Sequence, residues 1–334
     1  MYEKILAVLE EMGHRRGIAE LKKAFQDIGK WYAQKEKHQS SFVWNDNHYL
    51  SYALSRMPAT YMVASRVLSE VSLIGDSNSY INSHLDLCSG PGTFSFALQE
   101  LFQGLTVRTC IERADGFIKL GKVLESAASD TTKGCINWQC ADIMQADFPS
   151  ADLVTIGYGL NELNRVDSER IVRKAYEATN KILVIADTGT PEDYDRLLSI
   201  RQLVVNLGAT IIAPCMHSDF CRYREQISAS GWCHFSLRVP RTRIQRFIKN
   251  GTQSFEDERY TWLVAAKDTQ CHAIGDMRIL NHPRKSNKGI DMTVCLPSGC
   301  VESITVPKRD VLAYKSLVKK QWGDCPDSPQ KLLQ

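Results

Sequence analysis

His84-Leu85-Asp86-Leu87-Cys88-Ser89-Gly90-Pro91-Gly92 is a short apolar run that breaks into a glycine loop, and the helical pattern TFSFALQELF (residues 93–102) follows it directly. In a strand, glycine turn and helix of this kind, the glycines let the backbone approach a ligand. The charged groups of that ligand then meet the free N–H donors of the helix N-terminus. The loop is not the dinucleotide pattern G-x-G-x-x-G, because Ser95 stands at the third glycine position.

Downstream, the run VRTCIE (107–112) closes on Glu112, where a carboxylate can accept from both hydroxyls of a ribose. The run INWQCADI (136–143) reaches Asp142, at the place of an adenine edge. ADLVTIGYGL (151–160), KILVIADTG (181–189) and ATIIAP (209–214) read as further buried strands, separated by helices around SERIVRKAYEAT (168–179) and PEDYDRLLSIRQLVVNLG (191–208). Strands alternating with helices at these lengths predict an α/β fold with a Rossmann-like, mainly parallel sheet. A G-x-G loop followed by strand-terminal Glu and then Asp resembles the class I S-adenosylmethionine (SAM) methyltransferases. On that resemblance Asp86, Ser89, Gly90, Gly92, Glu112, Asp142 and Tyr158 are the candidate SAM contacts.

Upstream, residues 1 to about 38 carry apolar residues at helical spacing, and Asn47 to Val71 carry a second helical pattern. Pro58 within it predicts a new helix start or a kink. The expected organisation is a helical extension over 1–75, a SAM-binding domain over 76–270 and a basic C-terminal β module with a helix over 271–334. The 334 residues, 43% of them hydrophobic, suffice for one large core with an appendage.

The stretch Ile211 to Arg238, IIAPCMHSDFCRYREQISASGWCHFSLR, is an insertion of another kind. It holds Cys215, Cys221, Cys233, His217 and His234 with little apolar periodicity. Such a segment has too few core residues to fold on burial alone, and thiolates around a metal or an iron–sulfur cluster would order it. The spacing C-x5-C-x11-C is not that of common zinc ribbons, and buried free thiols acting as small hydrophobes are the alternative. Eleven cysteines, an odd number, in a chain without a signal-like start argue against a disulfide framework and for a reducing, cytoplasmic setting. No apolar run of membrane-spanning length is present, and no membrane partner is expected.

Net charge is +3 and unevenly distributed: from Arg201 onward there are 20 Lys and Arg against 12 Asp and Glu. A basic C-terminal part suits a polyanion such as RNA. Arg238, Arg241, Arg243, Arg246 and Lys249 recur at one to two helical turns and would neutralise phosphates if they shared a face. Arg284, Lys285 and Lys288 precede a hairpin that turns at Pro297-Ser298-Gly299, with Cys295 and Cys300 on either side of the turn.

Methyl transfer is mostly positioning and desolvation. After the fourth strand, base-methylating enzymes often carry an Asn/Asp-Pro-Pro-aromatic loop, whereas this chain reads Gly157-Tyr158-Gly159-Leu160-Asn161-Glu162-Leu163. Tyr158 is placed to stack a base, and Asn161 or Glu162 to hydrogen-bond one. The shaping prolines and a cysteine nucleophile are both missing from the loop. Tyr158, Asn161 and Glu162 are the catalytic candidates, and a cap or core role is equally open to Tyr158 and Asn161.

Over almost its whole length the chain resembles the methyltransferase-like assembly factors of the small ribosomal subunit, found in mitochondria and bacteria. The matching residues are Arg56-Met57-Pro58-Ala59-Thr60-Tyr61, the Asp86–Gly92 loop, Tyr158-Gly159-Leu160-Asn161-Glu162-Leu163 and Gly189-Thr190-Pro191. Beyond them come Ala213-Pro214-Cys215-Met216-His217, Trp232-Cys233-His234-Phe235 and Trp322-Gly323-Asp324. The resemblance implies a [4Fe–4S] cluster on Cys215, Cys221 and Cys233, with Cys295 as the fourth ligand. Cys300 and Cys271 compete for that place, and His217 or His234 would serve a zinc site instead. It further implies SAM as cofactor, the small ribosomal subunit and its rRNA as partner, and a monomer acting in ribosome biogenesis and translation. Two classes of function follow: an rRNA-binding assembly factor with a retained SAM fold, or an active methyltransferase of RNA or of a small molecule with a structural zinc. The sequence departs from the family at Ala186-Asp187-Thr188, where Glu-Pro is usual, on the substrate side of the cleft.

Overall fold

The computed structural model describes residues 1–33, 42–72, 81–102, 104–128, 135–227, 231–267 and 275–328. Helices α1 (Tyr2–Arg16) and α2 (Ile18–Ala33) bury Ile5 and Leu9, and Leu21, Ala24 and Ile28, the three- and four-residue steps of one helical face. Helix α3 (Asp46–Ser72) runs through Pro58 as a single element, so of the two sequence expectations the new helix start is not found. An interior proline forfeits one backbone bond, at a cost of about 3 kcal/mol. Burial offsets that loss: Ala53, Leu54, Ala59, Val63, Ala64 and Leu68 are at most 1% exposed. The Thr60 hydroxyl also donates back to the Arg56 carbonyl at 3.2 Å.

The alternation then appears as read: β1 (Ser83–Leu87), α4 (Thr93–Leu101), β2 (Val107–Glu112), α5 (Asp115–Ala128), β3 (Ile136–Cys140), β4 (Ala151–Gly157), α6 (Arg165–Ala178), β5 (Thr179–Thr188), α7 (Pro191–Asn206) and β6 (Thr210–Ala213). Helix α7 starts where Thr190 accepts from the Asp193 N–H and Pro191 takes the first turn, the sequence chemistry of a helix N-terminus. A short α8 (Tyr223–Gln226) lies in the cysteine-bearing stretch, followed by β7 (Phe235–Pro240), α9 (Arg243–Lys249) and β8 (Phe255–Ala266). The C-terminal part holds β9 (Arg278–Ile279), β10 (Arg284–Lys285), β11 (Gly289–Cys295), β12 (Val301–Pro307) and α10 (Val311–Leu317).

The chain forms two compact units, the first made of residues 1–69, 78–147 and 237–258 and the second of 70–77, 148–236 and 259–334. In the first unit the strands lie in the order β3-β2-β1, all parallel. In the second the order is β4-β5-β8-β6, with β4 and β5 parallel and β8 antiparallel to both its neighbours. Continuous apolar strands such as β4 and β5, buried along almost their whole length, are those of a sheet covered on both faces. This is the α/β, Rossmann-like class predicted from the alternation, with helices before it and a β-rich module after it. In that module β11 pairs antiparallel with β10, β12 and β9. Ile290, Met292 and Val294, alternate residues of β11, point into a core shared with Met277, Ile279, Val306, Ala313 and Leu317. No helix among the described residues is long and apolar enough to cross a membrane.

Candidate functional site

In the first unit, the chain leaves β1 through Cys88 at φ 56°, Gly90 at φ 54° and Gly92 at φ 86° before entering α4. These left-handed values suit glycine; Cys88 holds one without being glycine, a strain found at functional turns. A Cβ on Gly92 would lie 2.8 Å from the Trp138 ring, whereas one on Gly90 would meet nothing within 4 Å. The loop is therefore packed from behind at Gly92 and open at Gly90. Glu112 stands at its rim, accepting from the Gly90 N–H at 2.9 Å and the Ala114 N–H at 2.8 Å. Asp86 and Ser89 are buried. Asp142 is exposed and accepts from the Met144 N–H at 2.9 Å; it lies two residues beyond Cys140, the register partner of Glu112. Asp86, Ser89, Gly90, Gly92 and Glu112 thus form one site, and Asp142 borders it.

A residue outside the sequence expectation joins them. The Tyr49 ring of α3 covers Gly116, where a Cβ would stand 2.1 Å from it. Burial, followed by the Glu112 charge, raises the Tyr49 pKa. Tyr49 belongs to an aromatic group with Trp44, Tyr52 and Phe117. The aromatic pattern of residues 44–52 was its only signal.

In the second unit, β4 ends at Tyr158, which takes φ 58° and donates its N–H to the Ala186 carbonyl at 2.8 Å. Asn161 and Glu162 lie in the 3-10 turn Leu160–Glu162. The divergent Asp187 closes β5 at 3% exposure. Burial first, then the Asp193 charge, push its pKa up to about 7, while backbone donors of Thr188 and Asn161 and the charge of Arg196 oppose them. Arg196 is 3.6 Å away. The predicted turn at Asn161 and this carboxylate are therefore in contact.

The same unit brings the cysteines together. Cys215 after β6, Cys221 before α8, Cys233 before β7 and Cys295 at the end of β11 line one open pocket of about 350 Å³, with His217 beside them. Cys300 does not line it, although Gly299 and Val301 on either side do; Cys271 lies outside the described residues. Burial, followed by the neighbouring thiols, raises the Cys233 pKa well above the usual value. The same causes push Cys295 up to about 12. Cys215 is raised by burial, and the Arg201 charge works against that. Among the described residues no three His, Cys, Asp or Glu donors converge as they would on a single ion.

A cluster makes a different demand, since each thiolate binds its own iron and the sulfurs stand apart around a shared core. Four cysteines on one pocket wall fit that donor set. Two orphaned polar atoms point the same way: the His217 Nδ1 and the Arg201 Nε are buried without a hydrogen-bond partner. His234 is turned away, with Nδ1 at the Trp232 carbonyl and its ring stacked on that indole.

The basic residues separate into two groups. Arg238 sits on β7 and holds both oxygens of Asp257 at 2.8 and 3.0 Å. Arg241, before α9, meets Glu256 at 2.8 Å, and Lys249 pairs with the same carboxylate. Arg243 is exposed over the Phe247 ring, and Arg246 is half-buried. A strand, a loop and a seven-residue helix thus divide this row, so the condition that it share one helical face is not met, and carboxylates balance much of its charge. Arg284, Lys285 and Lys288 are exposed and carry no ion pair among the described residues. The Lys308 N–H meets the Lys288 carbonyl at 3.1 Å, so exposed Lys308 and Arg309 extend this basic edge.

The sequence model described as mitochondrial small ribosomal subunit Rsm22 matches residues 46–326. Among curated proteins, the carboxy-S-adenosyl-L-methionine synthases of Shewanella baltica and Shewanella putrefaciens are 21% identical over 225 residues, covering 62% of this chain and 91% of theirs. Among solved structures, magnesium protoporphyrin IX methyltransferase from Synechocystis PCC 6803, with bound SAM, aligns at TM-score 0.41 and 10% identity over 73% of this chain and 97% of that one. Precorrin-6y C5,15-methyltransferase from Geobacter metallireducens GS-15 aligns at TM-score 0.39 and 14% identity over 61% and 87%.

Proposed function

The chain belongs to the family of the mitochondrial small ribosomal subunit protein Rsm22, and we propose that it is a SAM-binding factor that grips small-subunit rRNA and keeps a [4Fe–4S] cluster in its cysteine pocket. One observation carries this reading: Cys295, supplied by the hairpin module, lines the same wall as Cys215, Cys221 and Cys233. A bound cluster would cross-link segments that lie some eighty residues apart in sequence. The residues themselves supply the rest. The open Gly90 face suits the carboxylate end of SAM, and the Glu112 carboxylate suits its sugar hydroxyls. Arg284, Lys285 and Lys288 present unpaired charge to phosphates. Free thiols at all ten described cysteines suit a reducing compartment such as the cytoplasm, and the factor acts as a monomer.

Binding rather than turnover is the favoured role, because the loop after β4 lacks both the prolines and the nucleophile of base-methylating sites. Tyr158, Asn161 and Glu162 remain the candidates for contact with an acceptor, with Asp187 beside Asn161. Labelled SAM and immature small subunits separate the alternatives. Salt-sensitive subunit binding without methyl incorporation is expected, and incorporation abolished by Gly90→Val would make the protein a methyltransferase.

A further inference from the structure

Arg201 lies on α7 at the spacing Leu197, Ile200, Arg201, Val204, all four buried. Its oxygen partners both lie in one turn. Nη2 donates to the His217 carbonyl at 2.6 Å, and Nη1 reaches the Ser218 carbonyl at 3.4 Å. The buried Nε has no hydrogen-bond partner. Among the described residues no carboxylate pairs with this guanidinium, whereas Arg278, which lines the cysteine pocket, has Glu70 at 2.8 Å. A guanidinium keeps its proton at any physiological pH, so a residue 4% exposed carries a full positive charge into the interior. Such a charge is strongly unfavourable unless an anion balances it. The two carbonyls it grips belong to the second and third residues after Cys215, and the group its charge acts on across that turn is the Cys215 sulfur. A thiolate bound to metal at Cys215 would supply the missing anion.

We propose that Arg201 is the buried counter-charge of the metal-bound Cys215 thiolate, a positioning residue that sets how firmly the pocket keeps its metal and at what potential it accepts an electron. This rests on the cysteine-pocket reading above. A cation beside a thiolate favours the more negative, reduced form of a cluster and weakens the competition of protons for the sulfur. Removing it makes reduction harder and acid loss faster.

The test uses the full chain, reconstituted with iron and sulfide, in wild-type, Arg201→Met, Arg201→Gln and Arg201→Lys forms. Three quantities are read: the one-electron midpoint potential by dithionite titration, iron loss to a chelator at falling pH, and affinity for Co²⁺ from its thiolate band. Arg201→Met should shift the electron equilibrium about tenfold toward the oxidised form, about 59 mV for one electron. It should also speed acid loss and weaken Co²⁺ binding at least threefold. Arg201→Lys should recover most of each. If Arg201→Met does not fold, the comparison of Lys with Gln decides: Lys near wild type with Gln shifted supports the proposal, and equal behaviour overturns it. A folded Arg201→Met protein with wild-type potential, loss rate and Co²⁺ affinity overturns it while the cluster stands. Wild-type protein that takes up no iron and sulfide, yet binds Co²⁺ in an Arg201-dependent way, overturns the cluster and upholds the role of Arg201. Wild-type protein that binds neither overturns both.

Discussion

Breaking the Arg278–Glu70 pair is expected to be the most damaging conservative change in the second unit. Arg278 is 1% exposed and Glu70 6%. The guanidinium meets the Glu70 carboxylate at 2.8 and 3.2 Å, the Pro214 carbonyl at 2.9 Å and the Gly323 carbonyl at 2.8 Å. Removing one partner of a buried pair leaves a charge uncompensated, at a cost of about 3–5 kcal/mol. Glu70→Leu should therefore lower Tm by about 6–20 °C, at about 2–4 °C per kcal/mol for a unit of this size. Arg278→Met orphans the Pro214 and Gly323 carbonyls as well, at about 1–3 kcal/mol each, and leaves the carboxylate behind. The double variant Glu70→Leu/Arg278→Met retains only the carbonyl cost, so it should be more stable than Arg278→Met alone by about 3–5 kcal/mol, and the losses of the two single variants should be far from additive. Thermal unfolding of all four proteins, followed by far-UV circular dichroism, provides the cycle. Additive losses, or a Glu70→Leu variant within about 1 kcal/mol of wild type, would refute the reasoning. Because Pro214 precedes Cys215, Arg278→Met should also release iron faster than wild type.

Cys295→Ser should abolish the absorbance near 400 nm of the reconstituted protein and Cys300→Ser should preserve it; loss with Cys300→Ser alone would reverse the ligand choice. Replacing Arg284, Lys285 and Lys288 together by Ala should flatten the dependence of log affinity for small-subunit RNA on log salt by about 2–3. Arg241→Ala, which removes a partner of Glu256, should lower Tm and leave that slope unchanged. Asp187, pushed up to about 7, favours its protonated form in the fold. Its contribution is full below about pH 4, the ordinary carboxylate range, and is lost as pH rises to 7. Asp187→Asn should therefore gain on wild type in Tm between pH 4 and 7 and run parallel above; a constant difference across that window counts against the shift.

The sheet was legible because its signals are local. An apolar run ending in Gly90-Pro91-Gly92, and acidic residues closing the next strands, state their geometry within a few residues. That α3 does not restart at Pro58 was not legible, because the opposing term, burial of the faces of α3, comes from distant chain. Whether the row from Arg238 to Lys249 shares a face was not legible for a related reason. The spacing passes through Pro240, and the balancing carboxylates Asp257 and Glu256 lie on β8, beyond the reach of any helical repeat. Arg201 was readable in principle, since a charge at the i, i+4 position of Leu197, on the face of Ile200 and Val204, is a cation directed inward. What it faces depends on where the chain returns after β6, and no short-range pattern states that.

The hairpin module shows why a tether there has structural weight. Its core holds eight buried residues within residues 277–317, fewer than a piece of that length needs to fold unaided. Among the ties that fix it to the rest of its unit are the Arg278 pair and the Cys295 wall, and these two act differently. The ion pair is permanent, whereas thiolate ligation depends on metal supply. Loss of metal should therefore loosen β11 and β12 while leaving β4 and β5 intact. In hydrogen exchange, metal-free protein should lose protection at Ile290 to Val294 by about tenfold or more and keep it at Val154 to Ile156. Equal protection in both states would mean that the apolar core and Arg278 alone hold the module, and that the cysteine wall has no part in its folding.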